Sequence, residues 1–123
     1  MQDRTKQFSL RVLKLVSALP ENTQGRAIAN QLVRSGMSVG ANYRSACRAR
    51  SRADFINKLG IVEEEADECA FWIELIIESG SLPKKSVQPL LNEANDLVSI
   101  IVASKKTTRR KTTNRKSKIE NRK

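Results

Sequence analysis

The run FINKLGIVEEEADECAFWIELII, residues 55–77, decides the fold of this chain. Phe55, Leu59, Val62, Ala66, Cys69, Ile73 and Ile76 recur in alternating steps of four and three. That spacing is the a/d seam of a helix packed lengthwise against a neighbour, and at about 100° per residue the seven positions share one face. Ser51 stands ahead of the run with Asp54 three residues on, a capping-box entrance, and Ser79-Gly80 supplies a glycine exit, so the helix is predicted to reach Glu78. Ile61, Trp72 and Leu75 fall off the seam on a second apolar strip. An outer helix of a monomeric bundle needs one buried stripe, so the second strip predicts contact with another copy of the chain. The alternative is a core stripe wide enough to take up Trp72.

The rest of the chain repeats the helical pattern outward from this run. Phe8, Val12, Leu15, Val16 and Leu19 mark a helix over residues 3–19, stopped by Pro20. Ile28, Leu32, Val39, Tyr43 and Ala46 lie on one side of a second helix over residues 23–50. Leu90, Ala94, Leu97 and Ile101 form the stripe of a fourth over residues 87–104, with Pro89 tolerable in its first turn. Four helices with short connections predict an all-α fold, an up-down-up-down antiparallel four-helix bundle. Gly36-Met37-Ser38-Val39-Gly40 fits the hydrolase pattern G-x-S-x-G, but it sits inside a helical period and has no histidine base to serve it. Its simpler use is to let a neighbouring helix approach closely at Gly36 and Gly40.

Composition agrees with helices: aromatics are 4% of 123 residues, with five glycines and three prolines. There is no histidine, which removes His-based triads, proton shuttles and metal sites. The acidic cluster Glu63, Glu64, Glu65, Asp67 and Glu68 cannot form the Glu-x-x-His pairs of carboxylate-bridged metal bundles. Glu63, Asp67, Glu74 and Glu78 instead form their own stripe beside the seam. No metal, no cofactor and no enzymatic activity are expected.

The net charge of +10 is unevenly placed. Residues 1–104 carry 13 basic and 12 acidic side chains, whereas residues 105–123 carry ten basic and one acidic. The second block has one aliphatic side chain, Ile119, and cannot offset its ordering entropy by burial. The expected division is therefore a bundle over 1–104 and a disordered basic tail over 105–123. Lys105, Lys106, Arg109, Arg110, Lys111, Arg115 and Lys116 of that tail are candidates to touch a polyanion. On the second helix Arg26 and Arg44 share one angle, with Arg48 about 40° and Arg34 about 80° away, opposite the apolar side. Arg50 and Arg52 follow at its end. Arginine forks suit phosphate oxygens, and a basic stripe can track a nucleic-acid backbone. Salt bridges to acidic stripes on neighbouring helices are the competing explanation. No aromatics interleave with the stripe, so base stacking is not expected there.

The N-terminus spreads Lys and Arg through its apolar residues, unlike a signal peptide, and the longest apolar stretch, residues 97–103, is too short to span a membrane. A cytoplasmic protein without membrane contact is expected, with Cys47 and Cys69 as reduced thiols at core positions.

The run Asn30-Gln31-Leu32-Val33-Arg34-Ser35-Gly36-Met37-Ser38-Val39-Gly40-Ala41-Asn42-Tyr43, then Arg44-Ser45-Ala46, Arg50-Ser51-Arg52-Ala53-Asp54-Phe55, Glu64-Glu65-Ala66-Asp67-Glu68 and Trp72, resembles a known bacterial family. These are the four-helix-bundle proteins encoded in intervening sequences of 23S rRNA genes, related to the accessory variability determinant of diversity-generating retroelements. The resemblance covers roughly residues 4–104; where such proteins often have Glu, this chain has Ser45. It implies a non-enzymatic bundle assembled as a ring-like homopentamer, and the retroelement relative binds nucleic acid and a reverse transcriptase. The expectation is an oligomeric RNA-binding protein that holds phosphates through the helix-two arginines and the Lys/Arg tail. The alternative is a homo-oligomeric scaffold that docks an acidic protein partner.

Overall fold

The computed structural model describes the backbone of residues 1–121 and the side chains of residues 1–115. Four helices account for the architecture: α1 Gln2–Ser17, α2 Thr23–Cys47, α3 Arg52–Glu78 and α4 Lys84–Asn121. Each packs antiparallel on the next, and α1 closes the bundle with a smaller contact on α4.

The boundaries follow local chemistry. Asn22 caps α2 by accepting the Gly25 N–H at 2.7 Å. Ser51 Oγ accepts the Asp54 N–H at 3.0 Å, the first bond of a capping box, while the Asp54 carboxylate reaches past the cap to accept the Arg50 N–H at 3.2 Å. At the far end of α3 the Ser81 N–H reaches the Ile76 carbonyl and the Gly80 N–H reaches that of Ile77. This double bond pattern is a Schellman exit, and Gly80 supplies its left-handed residue at φ +70°.

The seam of α3 lies at the centre of the core. Leu59, Val62, Ala66, Cys69, Ile73 and Ile76 are fully buried against Phe8 and Val12 of α1, Leu32 and Val39 of α2, and Val87, Ala94, Leu97 and Ile101 of α4. Each large apolar side chain so buried contributes roughly 1.5–3 kcal/mol. Phe55, at the start of the seam, is half-buried. Gly36 and Gly40 are where α1 meets α2 most closely. A Cβ at Gly36 would stand 2.6 Å from Val12 Cγ1, and one at Gly40 would stand 2.7 Å from Ser9 Oγ. Ser9 Oγ uses this proximity to donate to the Gly36 carbonyl at 2.7 Å.

Several boundaries and one thiol differ from the sequence reading: α1 spans Gln2–Ser17 rather than residues 3–19, and Pro89 lies inside α4 rather than in its first turn. α2 ends at Cys47 rather than at residue 50, because Arg48 leaves helical geometry and the following residues cap α3. Cys47 is consequently exposed at a helix end, while Cys69 is buried as expected. α4 starts at Lys84, three residues early, with Pro83 at its entrance, where a fixed φ and a missing N–H cost nothing.

The largest difference is at the other end of α4. The helix does not stop at residue 104, and residues 105–115, expected to be disordered, are helical. Their support comes from outside the segment, which composition alone does not weigh. Lys105 Nζ binds the Glu63 carboxylate at 2.9 Å, and Thr108 and Thr112 are half-buried; Arg52, which shares a groove with Lys111, Asn114 and Arg115, adds proximity but only like charge. The first turns of α3 therefore lie alongside the basic part of α4. The disorder expected for residues 116–123, and the site role of Lys116, fall outside the residues with described side chains.

Candidate nucleic-acid interface

Two antiparallel helices and one turn bring the basic residues together. The turn 48–51 joins α2 to α3 at the end of the bundle that the extended part of α4 also reaches. Here Arg52 meets Lys111 and Arg115 around one groove. Lys105 and Arg109 line another with Ala53, Ile56, Asn57 and Gly60 of α3. Arg48 and Arg50 flank the turn, and Lys106 and Arg110 stand exposed on α4. Residues 105–115 hold six cations and no carboxylate.

The candidate residues divide into engaged and unengaged sets. Arg34 is engaged: its Nη2 lies 2.5 Å from Glu68 Oε1, and its Nη1 lies 3.6 Å from Glu65 Oε2. The hydrogen bond to Glu68 raises the Arg34 pKa, and the same guanidinium holds the Glu68 carboxyl below its ordinary value. Arg34 therefore ties α2 to α3, as the salt-bridge explanation requires. Lys105 is likewise tied to Glu63. Among the described residues, no carboxylate pairs with the side chains of Arg26, Arg44, Arg48, Arg50, Arg52, Lys106, Arg109, Arg110, Lys111 or Arg115.

Position separates these further. Arg26 lies about 32 Å along α2 from Cys47, 21 positions at 1.5 Å per residue, so it is at the opposite end of the bundle from Arg48. Arg44 lines a groove between α1 and α2 with Gln2, Lys6, Ser9, Gly40 and Ala41. The helix-two stripe is thus not one continuous surface with the basic end. Lys6 and Asn114 were not singled out from sequence. Lys6 could have been found by setting the exposed side of α1 against that of α2. Asn114 could have been found only by continuing the helical period past Ser104.

The second apolar strip of α3 is also rearranged. Trp72 is half-buried against the core, with its indole N–H 3.3 Å from Glu68 Oε1. Ile61 is 37% exposed, and Leu75 is half-buried. Phe71, which the sequence reading passed over, is 50% exposed and meets Trp72 edge-on at 5.0 Å. It lies about 80° round the helix from Ile61, on the solvent side of the seam.

Burial pushes the Cys69 thiol up to about 12. With its S–H donating to Ser35 Oγ, Cys69 packs as a core group. Among the described residues, no group of three or more Cys, Asp or Glu side chains is placed to hold a metal ion, and no helix is long and apolar enough to cross a membrane.

A four-helix bundle with a basic end, most of whose cations have no carboxylate partner among the described residues, is thus the class of molecule that fold and surface define. The chain belongs to the 23S rRNA-intervening sequence protein family, whose model matches residues 1–103. Among solved structures it is similar to a Bacteroides thetaiotaomicron protein of unknown function from the S23 ribosomal protein family. The two are 33% identical with a TM-score of 0.80, over 85% of this chain and 97% of that one. No curated protein matches the chain. The match ends before the basic part of α4, so the feature that dominates this surface lies outside the family's shared region.

Proposed function

We propose that this protein is a non-enzymatic, oligomeric nucleic-acid-binding protein whose ligand is RNA, held by its phosphate backbone at the basic end of the bundle. The observation that carries this reading is the gathering of Arg52, Arg109, Lys111 and Arg115 by α3 and α4 with no carboxylate among them. Guanidinium forks and ammonium groups left unpaired by the fold suit phosphate oxygens. RNA is preferred among polyanions because the family's name associates these proteins with 23S rRNA. Arg48 and Arg50 extend the surface, Arg44 lines a separate groove between α1 and α2, and Arg34 serves the fold.

Binding of this kind releases counterions, so affinity falls steeply with salt, by a log–log slope of roughly 0.7–0.9 per phosphate neutralised. The test is fluorescence anisotropy of a structured RNA across a salt series. Replacing Arg52, Lys111 and Arg115 together by alanine is expected to weaken binding and to reduce the slope by about 2–3. No binding at low salt, or an unchanged slope in the triple variant, would refute the site. Self-association rests on exposed Ile61 and Phe71. Phe71→Glu is expected to lower the mass measured by light scattering, and a wild-type chain that is monomeric at every concentration would remove this part of the reading.

A further inference from the structure

The cations of the extended α4 are not confined to one side. At about 100° per residue, Thr108 and Thr112 mark the side facing α3, and both are half-buried. Lys105 and Arg109 lie on one flank of that contact, in the groove with Ile56, Asn57 and Gly60. Lys111 and Arg115 lie on the other flank, in the groove with Arg52. Between the flanks, away from α3, Lys106 and Arg110 form an exposed ridge, and Asn114, four residues on, continues it where it borders the Arg52 groove.

Docking on a flat phosphate surface uses one face of a helix. Two charged flanks separated by an exposed ridge match a different shape: a groove with a phosphate backbone on each wall and base edges on its floor. The helix diameter with side chains is about 10–12 Å, close to the roughly 12 Å width of the B-form major groove, so a groove must be opened to about that width to admit it. The ridge carries suitable chemistry for the floor, since Arg can pair with guanine O6 and N7 and Asn with adenine N6 and N7. α3 backs the helix on its remaining side.

Resting on the RNA reading above, we infer that the basic part of α4 inserts into the major groove of an RNA stem, with Lys106, Arg110 and Asn114 facing the bases and Arg109, Lys111 and Arg115 facing the two strands, while Lys105 stays on Glu63. The major groove of a perfectly paired A-form stem is deep and too narrow for side chains to read. The ligand class is therefore a stem whose groove is opened by an internal loop or bulge.

The experiment compares three RNAs of equal length on the full chain: a perfectly paired stem, the same stem with an internal loop, and a single strand. The looped stem is expected to bind about tenfold tighter than the other two. The combined variant Lys106→Ala, Arg110→Ala, Asn114→Ala is expected to abolish that preference. Arg109→Ala with Arg115→Ala is expected to weaken all three complexes alike. Circular dichroism checks that each variant keeps its helices. Equal affinities for the three RNAs, or a preference that survives the ridge variant, would overturn the insertion while leaving backbone binding intact. Failure of all three to bind would overturn the proposed function itself.

Discussion

Replacing Gly36 by alanine tests whether the close approach of α1 and α2 shapes the bundle. An alanine in a helix interior is favoured over glycine by about 1 kcal/mol, so propensity alone predicts a more stable protein. The structure predicts the reverse. The new Cβ would stand 2.6 Å from Val12 Cγ1 and 3.0 Å from both Val12 Cβ and Cγ2. Val12 is fully buried and β-branched, so it has no free rotamer to move into. Relief requires the helices to separate, which costs about 1–3 kcal/mol as overpacking. Separation also lengthens the Ser9–Gly36 hydrogen bond, worth roughly 0.5–1.5 kcal/mol. The expected outcome is a net loss of about 1–3 kcal/mol, read by urea unfolding followed at 222 nm. Gly60 is the internal control, because a Cβ there meets only Lys105 Nζ, at 3.9 Å. Gly60→Ala should therefore gain up to about 1 kcal/mol. A Gly36→Ala protein as stable as wild type, or a Gly60→Ala protein that is destabilised, would refute the reasoning.

Other perturbations probe other parts of the molecule. A thiol-alkylating reagent should label Cys47 in the native state and leave Cys69 untouched until the chain unfolds; mass spectrometry before and after urea checks this, and native labelling of Cys69 would contradict its burial. Arg34 holds the Glu68 carboxyl below its ordinary value of 4.5, and Arg4 of α1, which donates to both Glu93 oxygens of α4 at 2.9 and 2.6 Å, does the same for Glu93. Stability from these pairs is complete above that value and is lost as pH falls through the lowered folded-state values. Arg34→Ala should therefore lose less of its thermal stability between pH 7 and pH 3 than wild type does, and an equal loss would remove Glu68 from the acid response. Ser51→Ala should cost about 0.5–2 kcal/mol through the lost cap on α3, measured by thermal unfolding.

Much of the fold was legible because α3 carries an uninterrupted a/d seam, and a helix with one such face dictates what its neighbours must bury. Gly36 and Gly40 were legible for a related reason: small residues on a helical period have few uses besides close packing. Cys47 was misplaced because periodicity does not show where a helix ends. The basic segment was misjudged because its own composition says nothing of the first turns of α3 beside it. Of the four helix-two arginines, the sequence could not separate Arg34 from the rest, since the glutamates that pair with it lie 31 and 34 positions away on another helix. Phe71 was hidden beside Trp72, the more conspicuous side chain.

The continuity of α4 gives the basic segment an angular address. Its backbone runs unbroken from the core residue Ile101 into the charged region, so each cation's direction is set by its count along the helix. One residue inserted between Ser104 and Lys105 would change neither the charge nor the core. It would turn every later side chain by about 100° and advance it by about 1.5 Å. Thr108 and Thr112 would swing off α3, and cations would be driven against it. In this protein the phase of a helix, rather than the amount of charge at its end, decides where the charge points.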